Sequence, residues 1–561
     1  MRWMRGAMVT VMASAVIGVP AAPAVAGPGE TAADIVEDVW VETPLDSDGD
    51  GVRDRVHLTV TRPAASLGKL GSIVLPTPYA GPGADVPYPS VDVDRLPQET
   101  PAAGLADLMR GRGRSKAATV FKHYTNRRYA VITVDSLGTN LSTGCPDTGG
   151  RDETAAMRAV VDWLDLKGRA YDSAGRPVTA SWSARRVAMT GVSYDGTLPI
   201  MAAITGRSAL KAIVPMSAVT SWYDYYRANG LVVAPGGWQG EDLDVMSRYI
   251  LTRVNPEVCE AAMERLTRIQ DRVTGDYSRV WAERDYTAQA GRIRAGVFLA
   301  QGLEDWNVKP QQGIQLWQAL RGDRKLWLYE GGHGSPRSQE FSDAVDRWID
   351  HYVHGVDNGI DREPPVTLED ARSVVVERTT AWPVPGTRTV KLPLATGAAR
   401  ADTFTDSGRT LTAEQLVAGH AENRLDYRWP VLTRDVRLSG TPYVSLKVSV
   451  DNRTAANLTA LLVDHGPAGT GSQIVTRGWI DPQNRVSRSR SLPVVPGKAY
   501  GIRWNLQPED HVFRAGHRIG VVIVSTDYDY TLRPLPGTRL SVDPTASRVE
   551  LPIVGGREAL R

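Results

Sequence analysis

An α/β domain on a mainly parallel sheet, with a helical insertion and a following all-β domain, is the architecture this 561-residue sequence predicts. Three observations carry that expectation. Short apolar runs alternate with helix-patterned segments from Val39 to about Thr220. The apolar runs stop between residues 221 and 290 and then resume. Beyond Glu363-Pro364-Pro365 the texture becomes short alternating strands separated by Gly, Pro, Asn and Asp. Alternating strand and helix patterns imply crossover units around a parallel sheet, and regular short strands imply a sandwich or jelly roll.

Taken in order, Ser72–Leu75, Tyr129–Val134 and Val187–Thr190 read as buried strands, and Thr154–Leu166 carries apolar residues at helical spacing. The stretch 221–290, rich in Tyr, Trp and Arg, reads as a helical cap. Gly296–Ala300, a helix over Gln311–Leu320, the strand Leu326–Tyr329 and a helix over Ser342–His354 complete the first domain. Val444–Val450, Leu458–Val463 and Ile519–Val524 are strands of the second. The expected division is a leader over 1–26, a body over 27–360 and a β domain over 361–561.

The leader rests on Arg2 and Arg5, the small and apolar run Gly6–Val19, and Ala24-Val25-Ala26, a form that signal peptidase accepts. Export with cleavage after Ala26 follows as the expectation. No later segment has the roughly 20 apolar residues of a membrane span. A net charge of +2, with Lys and Arg scattered, excludes an electrostatic footprint for nucleic acid. The two cysteines, Cys145 and Cys259, form a bridge if the chain is exported, or else stay buried free thiols.

The chemistry centres on Gly191-Val192-Ser193-Tyr194-Asp195-Gly196, between the strand Arg186–Thr190 and a helix-like Thr197–Thr205. A serine on a sharp strand-to-helix turn is the nucleophile elbow of an α/β-hydrolase, with the N–H of Tyr194 aimed at the oxyanion. Asp195 departs from the common G-x-S-x-G form. A serine hydroxyl needs a base, and in this fold the order is Ser, acid, His. His333, in Gly331-Gly332-His333-Gly334 directly after a strand, is the base. Asp305 follows the strand Gly296–Ala300, with Glu304 as its neighbouring competitor for the acid.

The words GVSYDGTLP (191–199), YYRANGLVVAPGGWQGEDLDV (225–245), GLEDWNVKP (302–310) and GGHGSP (331–336) are similar to those of the Xaa-Pro dipeptidyl-peptidase family of serine peptidases, with its cocaine-esterase-like relatives. The resemblance covers essentially the whole mature chain. It implies Asp305 as the acid and Tyr79, after an early strand, as the second oxyanion donor through its hydroxyl. It implies a peptide substrate with a free N-terminus and a penultimate proline, and no cofactor; the scattered charge and the lack of a spanning segment leave neither nucleic acid nor membrane as an expected partner.

Reading an amino terminus needs a buried carboxylate and an apolar slot for proline. Glu241, Asp242 and Asp195 are candidates for the carboxylate, and Trp222, Trp238, Trp306 and Val308 for the slot. An esterase or amide acylase with the same triad, and a non-catalytic secreted binding protein, are the competing readings. The run Asp46-Ser47-Asp48-Gly49-Asp50-Gly51-Val52-Arg53-Asp54 has the spacing of a calcium loop, but its twelfth position is His57. The bidentate Glu that closes an EF-hand is missing, so the expectation is a solvated hairpin turn with no metal.

Overall fold

The computed structural model describes residues 34–64, 68–95, 99–100, 121–395, 401–407 and 410–561. The expected leader therefore lies outside the described residues.

Ten strands build the body's main sheet: β1 (Ile35–Glu42), β2 (Arg55–Arg62), β3 (Leu70–Thr77), β4 (Tyr129–Asp135), β5 (Ser183–Val192), β6 (Leu210–Met216), β7 (Gly296–Gly302), β8 (Arg324–Tyr329), β9 (Val366–Glu369) and β10 (Val375–Thr379). Their spatial order is 1-2-4-3-5-6-7-8-9-10, with the two-residue strand Ala170–Tyr171 beside β1. From β4 to β9 every neighbouring pair is parallel; β1, β2 and β10 run antiparallel to their neighbours. Helices α1 (Arg151–Leu164) and α2 (Tyr194–Ala203) pack with the sheet and with each other. Strands β3, β6 and β7 are mostly buried and rich in Val, Ile, Leu and Ala, as is the Val187–Thr190 centre of β5, as a sheet covered on both faces requires.

The cap occupies the crossover between β6 and β7. It carries α3 (Trp222–Tyr226), α4 (Leu243–Ile250) and α5 (Glu260–Ile269). Apolar and polar residues segregate strongly around α4 and α5, whose apolar faces turn inward. After β7 come α6 (Gln311–Ala319) and α7 (Gln339–Ile349).

The all-β domain is a sandwich. Its seven-stranded sheet is organised on the 17-residue strand Thr538–Val554, and its four-stranded sheet is ordered Leu425–Arg428, Arg518–Val524, Leu458–His465, Ser472–Ile480. Val444, Leu446, Leu540 and Val542 from one sheet meet Leu458, Leu462, Val521 and Ile523 from the other in one core.

The body does not end at residue 360. β9 and β10 extend its sheet through Thr379, and the first strand of the β domain is Thr387–Pro393. The β9–β10 hairpin, beyond residue 360, has the same short alternating texture as the sandwich strands. Its membership is decided by pairing with β8, a contact no local pattern encodes.

Candidate active site

The loops that follow β3, β5, β7 and β8 all leave the carboxyl edge of the parallel sheet, where open α/β sheets place their ligands. β5 ends at Val192, and Ser193 sits at φ 63°, ψ −131° before α2 begins at Tyr194. A non-glycine residue held at positive φ is strained, and such strain gathers at functional sites. The turn is fixed by Ser193 N donating to Met216 O at 2.8 Å and by Ser193 O accepting from Gly196 N and Thr197 N. A Cβ on Gly196 would lie 2.6 Å from Gly191 O, and one on Gly191 would lie 2.4 Å from the Asp195 carbonyl. The two glycines that must be bare are therefore 191 and 196, which accounts for the departure at Asp195.

Asp305 follows β7 and is fully buried. Its Oδ1 accepts from the N–H groups of Asn307 (3.0 Å) and Val308 (2.8 Å), and its Oδ2 lies 2.8 Å from His333 Nδ1. The two backbone donors fix the carboxylate, so it can hold the imidazole in one tautomer and orientation. The His333 side chain keeps 28% of its surface open, whereas that of Asp305 is sealed. Glu304 is exposed, and its N–H donates to Gly331 O; its carboxylate forms no hydrogen bond or ion pair with His333. The geometry separates the two acids that local spacing leaves open.

Tyr79 follows β3 and is half-buried; its N–H donates to Thr77 Oγ1 at 3.1 Å, and its ring meets Tyr194 edge-on at 6.3 Å. Burial, then the Asp195 and Glu241 carboxylates, push its phenol well above its ordinary range, so it remains an O–H donor. Tyr194 directs its side chain into the core. Its hydroxyl donates to Glu153 Oε2 at 2.6 Å and accepts from Gly149 N at 2.8 Å. Being the first residue of α2, Tyr194 has a backbone N–H with no acceptor one turn back. Asp195 is tied to the Thr77 hydroxyl, and burial pushes it up to about 7. Its Oδ1 is buried with no partner among the described residues.

Of the cap candidates, Glu241 is 6% exposed and accepts one hydrogen bond, from the Tyr226 hydroxyl at 2.8 Å. Burial pushes its carboxyl up to about 8. Asp242 is different. It pairs with Arg227 at 2.9 Å and Arg272 at 3.4 Å and caps α4 by accepting from Leu243 N. With Arg227 and Asp242 both sealed from solvent, Asp242 is a structural ion pair and not a free carboxylate for a ligand. Two slot candidates also fall. Trp222 is 1% exposed with its indole N–H on the Tyr286 hydroxyl, and Val308 is wholly buried. Trp306 is half-buried against Trp479 and Tyr530 of the β domain, with the Arg477 guanidinium over its ring. Trp238 is half-buried on the turn closed by its own N–H to Pro235 O.

Sequence reasoning assigned no role to Tyr225, Tyr226, Asn307 or Lys309. The Tyr225 hydroxyl donates to Asn307 Oδ1 at 2.8 Å, and Glu241, Tyr79 and Asp305 are all near enough to push its phenol further up than burial alone does. Fully buried Lys309 donates to the carbonyls of Tyr225 and Ala234 and is drawn down to about 8 by burial. All four lie inside the words YYRANG and GLEDWNVKP, which were the available signal. Cys145 and Cys259 form a disulfide with Cα atoms 5.5 Å apart, tying the loop after β4 to the cap.

Residues 48–335 match the family model of the X-Pro dipeptidyl-peptidases (S15 family), and residues 358–558 match that of the X-Pro dipeptidyl-peptidase C-terminal non-catalytic domain. A putative Xaa-Pro dipeptidyl-peptidase of Bacillus cereus is 43% identical over 537 residues, covering 92% of this chain and 90% of that protein. The Xaa-Pro dipeptidyl-peptidase of Lacticaseibacillus casei is 32% identical over 614 residues, covering 92% and 76%. Among solved structures, a CocE/NonD family hydrolase from Staphylococcus aureus superposes with a TM-score of 0.67 at 15% identity, over 93% of this chain and 94% of that one. An α-amino acid ester hydrolase superposes with a TM-score of 0.61 at 17% identity, over 94% and 98%; at these identities both show the shared fold. The chain belongs to the S15 family of X-Pro dipeptidyl-peptidases, serine peptidases with an α/β-hydrolase body and a C-terminal β domain.

Proposed function

We propose that this chain is an exported serine exopeptidase that releases Xaa-Pro dipeptides from peptide N-termini through an acyl-enzyme on Ser193. The observation that carries the reading is the Asp305–His333 hydrogen bond of 2.8 Å, on loops that leave the same carboxyl edge of the sheet as a serine held at positive φ.

In this reading His333 Nε2 takes the Ser193 hydroxyl proton as Oγ attacks the carbonyl after proline. Asp305, already fixed by two backbone donors, keeps the Nδ1–H pointed at itself and stabilises the imidazolium that forms. The negative charge gathering on the substrate oxygen is met by the Tyr194 N–H and the Tyr79 O–H. The imidazolium then protonates the departing amine, and water, deprotonated by the same imidazole, releases the dipeptide.

Glu241 supplies the amino-terminal reading. Among the cap candidates it is the buried carboxylate without a cation partner within ion-pair distance among the described residues. A buried carboxyl held up to about 8 is costly to ionise until an ammonium arrives beside it. Export is supported by the leader pattern and by the disulfide, which persists in oxidising compartments. Ser193→Ala should leave folding intact and lower turnover by several orders of magnitude, and a fluorophosphonate should label the wild type at Ser193. Labelling at another residue, with full activity in the variant, contradicts the triad. N-terminal sequencing of the secreted protein should begin at Gly27; an intact Met1 contradicts export by cleavage.

A further inference from the structure

We propose that the Asp46–Asp54 loop between β1 and β2 is a calcium site that braces the seam between body and cap. One carboxylate oxygen each from Asp46, Asp48 and Asp50 lies within 4.8 Å of the others. Oxygens that share one calcium ion, with bonds of about 2.4 Å, stand at most about 4.8 Å apart, so the three carboxylates are close enough to close on a single ion. The donor set is all oxygen, which suits a hard cation and not zinc or copper.

A solvated hairpin turn accounts for Asp46 and Asp50, which are exposed. It does not account for Asp48. That side chain is 3% exposed, with Oδ2 held by Arg253 at 2.5 Å, while Oδ1 is buried and has no hydrogen-bond partner among the described residues. A carboxylate oxygen cut off from both water and donors is strongly unfavourable unless a cation meets it. Asp54, outside that triplet, is a further carboxylate of the loop, 2% exposed, whose Oδ2 receives Ser47 N at 2.8 Å and Ser47 Oγ at 2.6 Å. Among the described residues, Arg253 is the one cation within ion-pair distance of Asp46, Asp48, Asp50 or Asp54. In the spacing of a calcium loop the seventh position, here Val52, offers its carbonyl. His57, at the twelfth, is unavailable as a closing ligand because its ring nitrogens are taken by Asp135 and Asp38. Without a bidentate closing residue the affinity belongs in the range of extracellular modules, about 10⁻⁴ to 10⁻³ M.

The position gives the ion its role. Cys145 N donates to Ser47 Oγ at 2.8 Å, and Arg253 also donates to Gly144 O at 2.9 Å. Cys145 is disulfide-bonded to Cys259 of the cap, and Arg253 follows α4. The loop, the disulfide strap and the end of a cap helix therefore meet at Asp48. A cation on Oδ1 fixes the carboxylate that Arg253 grips through Oδ2, and so fixes the cap against the body. This inference does not rest on the peptidase reading.

The test uses the full secreted chain stripped with EGTA and titrated with calcium chloride by calorimetry, with melting followed in parallel. One calcium per chain should bind in the stated range, and Tm should rise by a few degrees at about 5 mM calcium, with a smaller rise in magnesium at the same concentration. The double variant Asp46→Asn/Asp50→Asn changes two exposed residues. It should bind calcium at least about 10-fold more weakly and lose the calcium-dependent rise, while its Tm in EGTA equals or exceeds that of the wild type as charge repulsion is relieved. Fluorophosphonate labelling of the variant should match the wild type. Absence of calcium binding by the wild type, or equal binding by the double variant, overturns the proposal.

Discussion

The Tyr226 hydroxyl donates to Glu241 Oε1 at 2.8 Å, while the neighbouring Asp242 is clamped by Arg227 at 2.9 Å. Two adjacent acids of one turn are thereby given opposite conditions, one buried with no ion-pair partner among the described residues and one neutralised. Burial holds the Glu241 carboxyl up to about 8. Near pH 6.5 it carries a proton that an arriving ammonium must displace. Binding of a free-amine dipeptide to the Ser193→Ala enzyme should release up to about one proton at that pH, read by calorimetry in buffers of different ionisation enthalpy. Glu241→Gln should release none. Equal proton release by both proteins would remove Glu241 from the amine site.

The same raised carboxyl has a stability consequence. Its folded value of about 8 lies above the unfolded 4.5, so the native state binds more protons than the unfolded state between those values. Stability from this group is full below about pH 4.5 and is lost as pH rises toward about 8. The Tm of Glu241→Gln should therefore gain on that of the wild type between pH 5 and pH 9, measured by calorimetric melts. A gap that stays constant or narrows across this window contradicts the assignment.

Asp242→Asn should act on stability and not on amine recognition. It leaves the fully buried Arg227 with a neutral partner and weakens the α4 cap, a loss of about 3–5 kcal/mol by analogy with other broken buried pairs. Denaturant melts measure the loss. The preference for a free over an acetylated substrate amine should be retained by the folded fraction.

Tyr79→Phe deletes one hydroxyl and little volume. Binding should persist while kcat falls about 10²-fold or more. An unchanged kcat would return Tyr79 to a packing role against Tyr194 and Tyr249. Asp305→Asn, which preserves shape but favours the wrong imidazole tautomer, should cost about 10⁴-fold in kcat.

The elbow, the acid loop and the base loop were legible because each follows a strand whose apolar run is local information. Ser193, Asp305 and His333 sit where the strand ends at Val192, Gly302 and Tyr329 dictate. Burial partners were not legible in that way. Asp242 and Arg227 are 15 residues apart on opposite sides of a turn, and nothing in the spacing reveals that they pair. Trp222 looks like a slot residue by type, yet it is packed under Tyr194, Tyr225 and Tyr226. Lys309, to which the sequence assigned no role, is sealed beneath the cap on two carbonyls.

The central claim, that the cap reads a free amino terminus for the Ser193 machinery, meets its most direct test in paired substrates. Ala-Pro-anilide and acetyl-Ala-Pro-anilide differ in the ammonium that Glu241 would hold. Steady-state kcat/KM for the free amine should exceed that for the acetylated form by at least about 10²-fold, the scale of a lost buried ion pair. In Glu241→Gln the ratio should shrink while fluorophosphonate labelling of Ser193 is unchanged. Equal kcat/KM for the two substrates in the wild type would contradict the account and make the enzyme an esterase or acylase on the same triad.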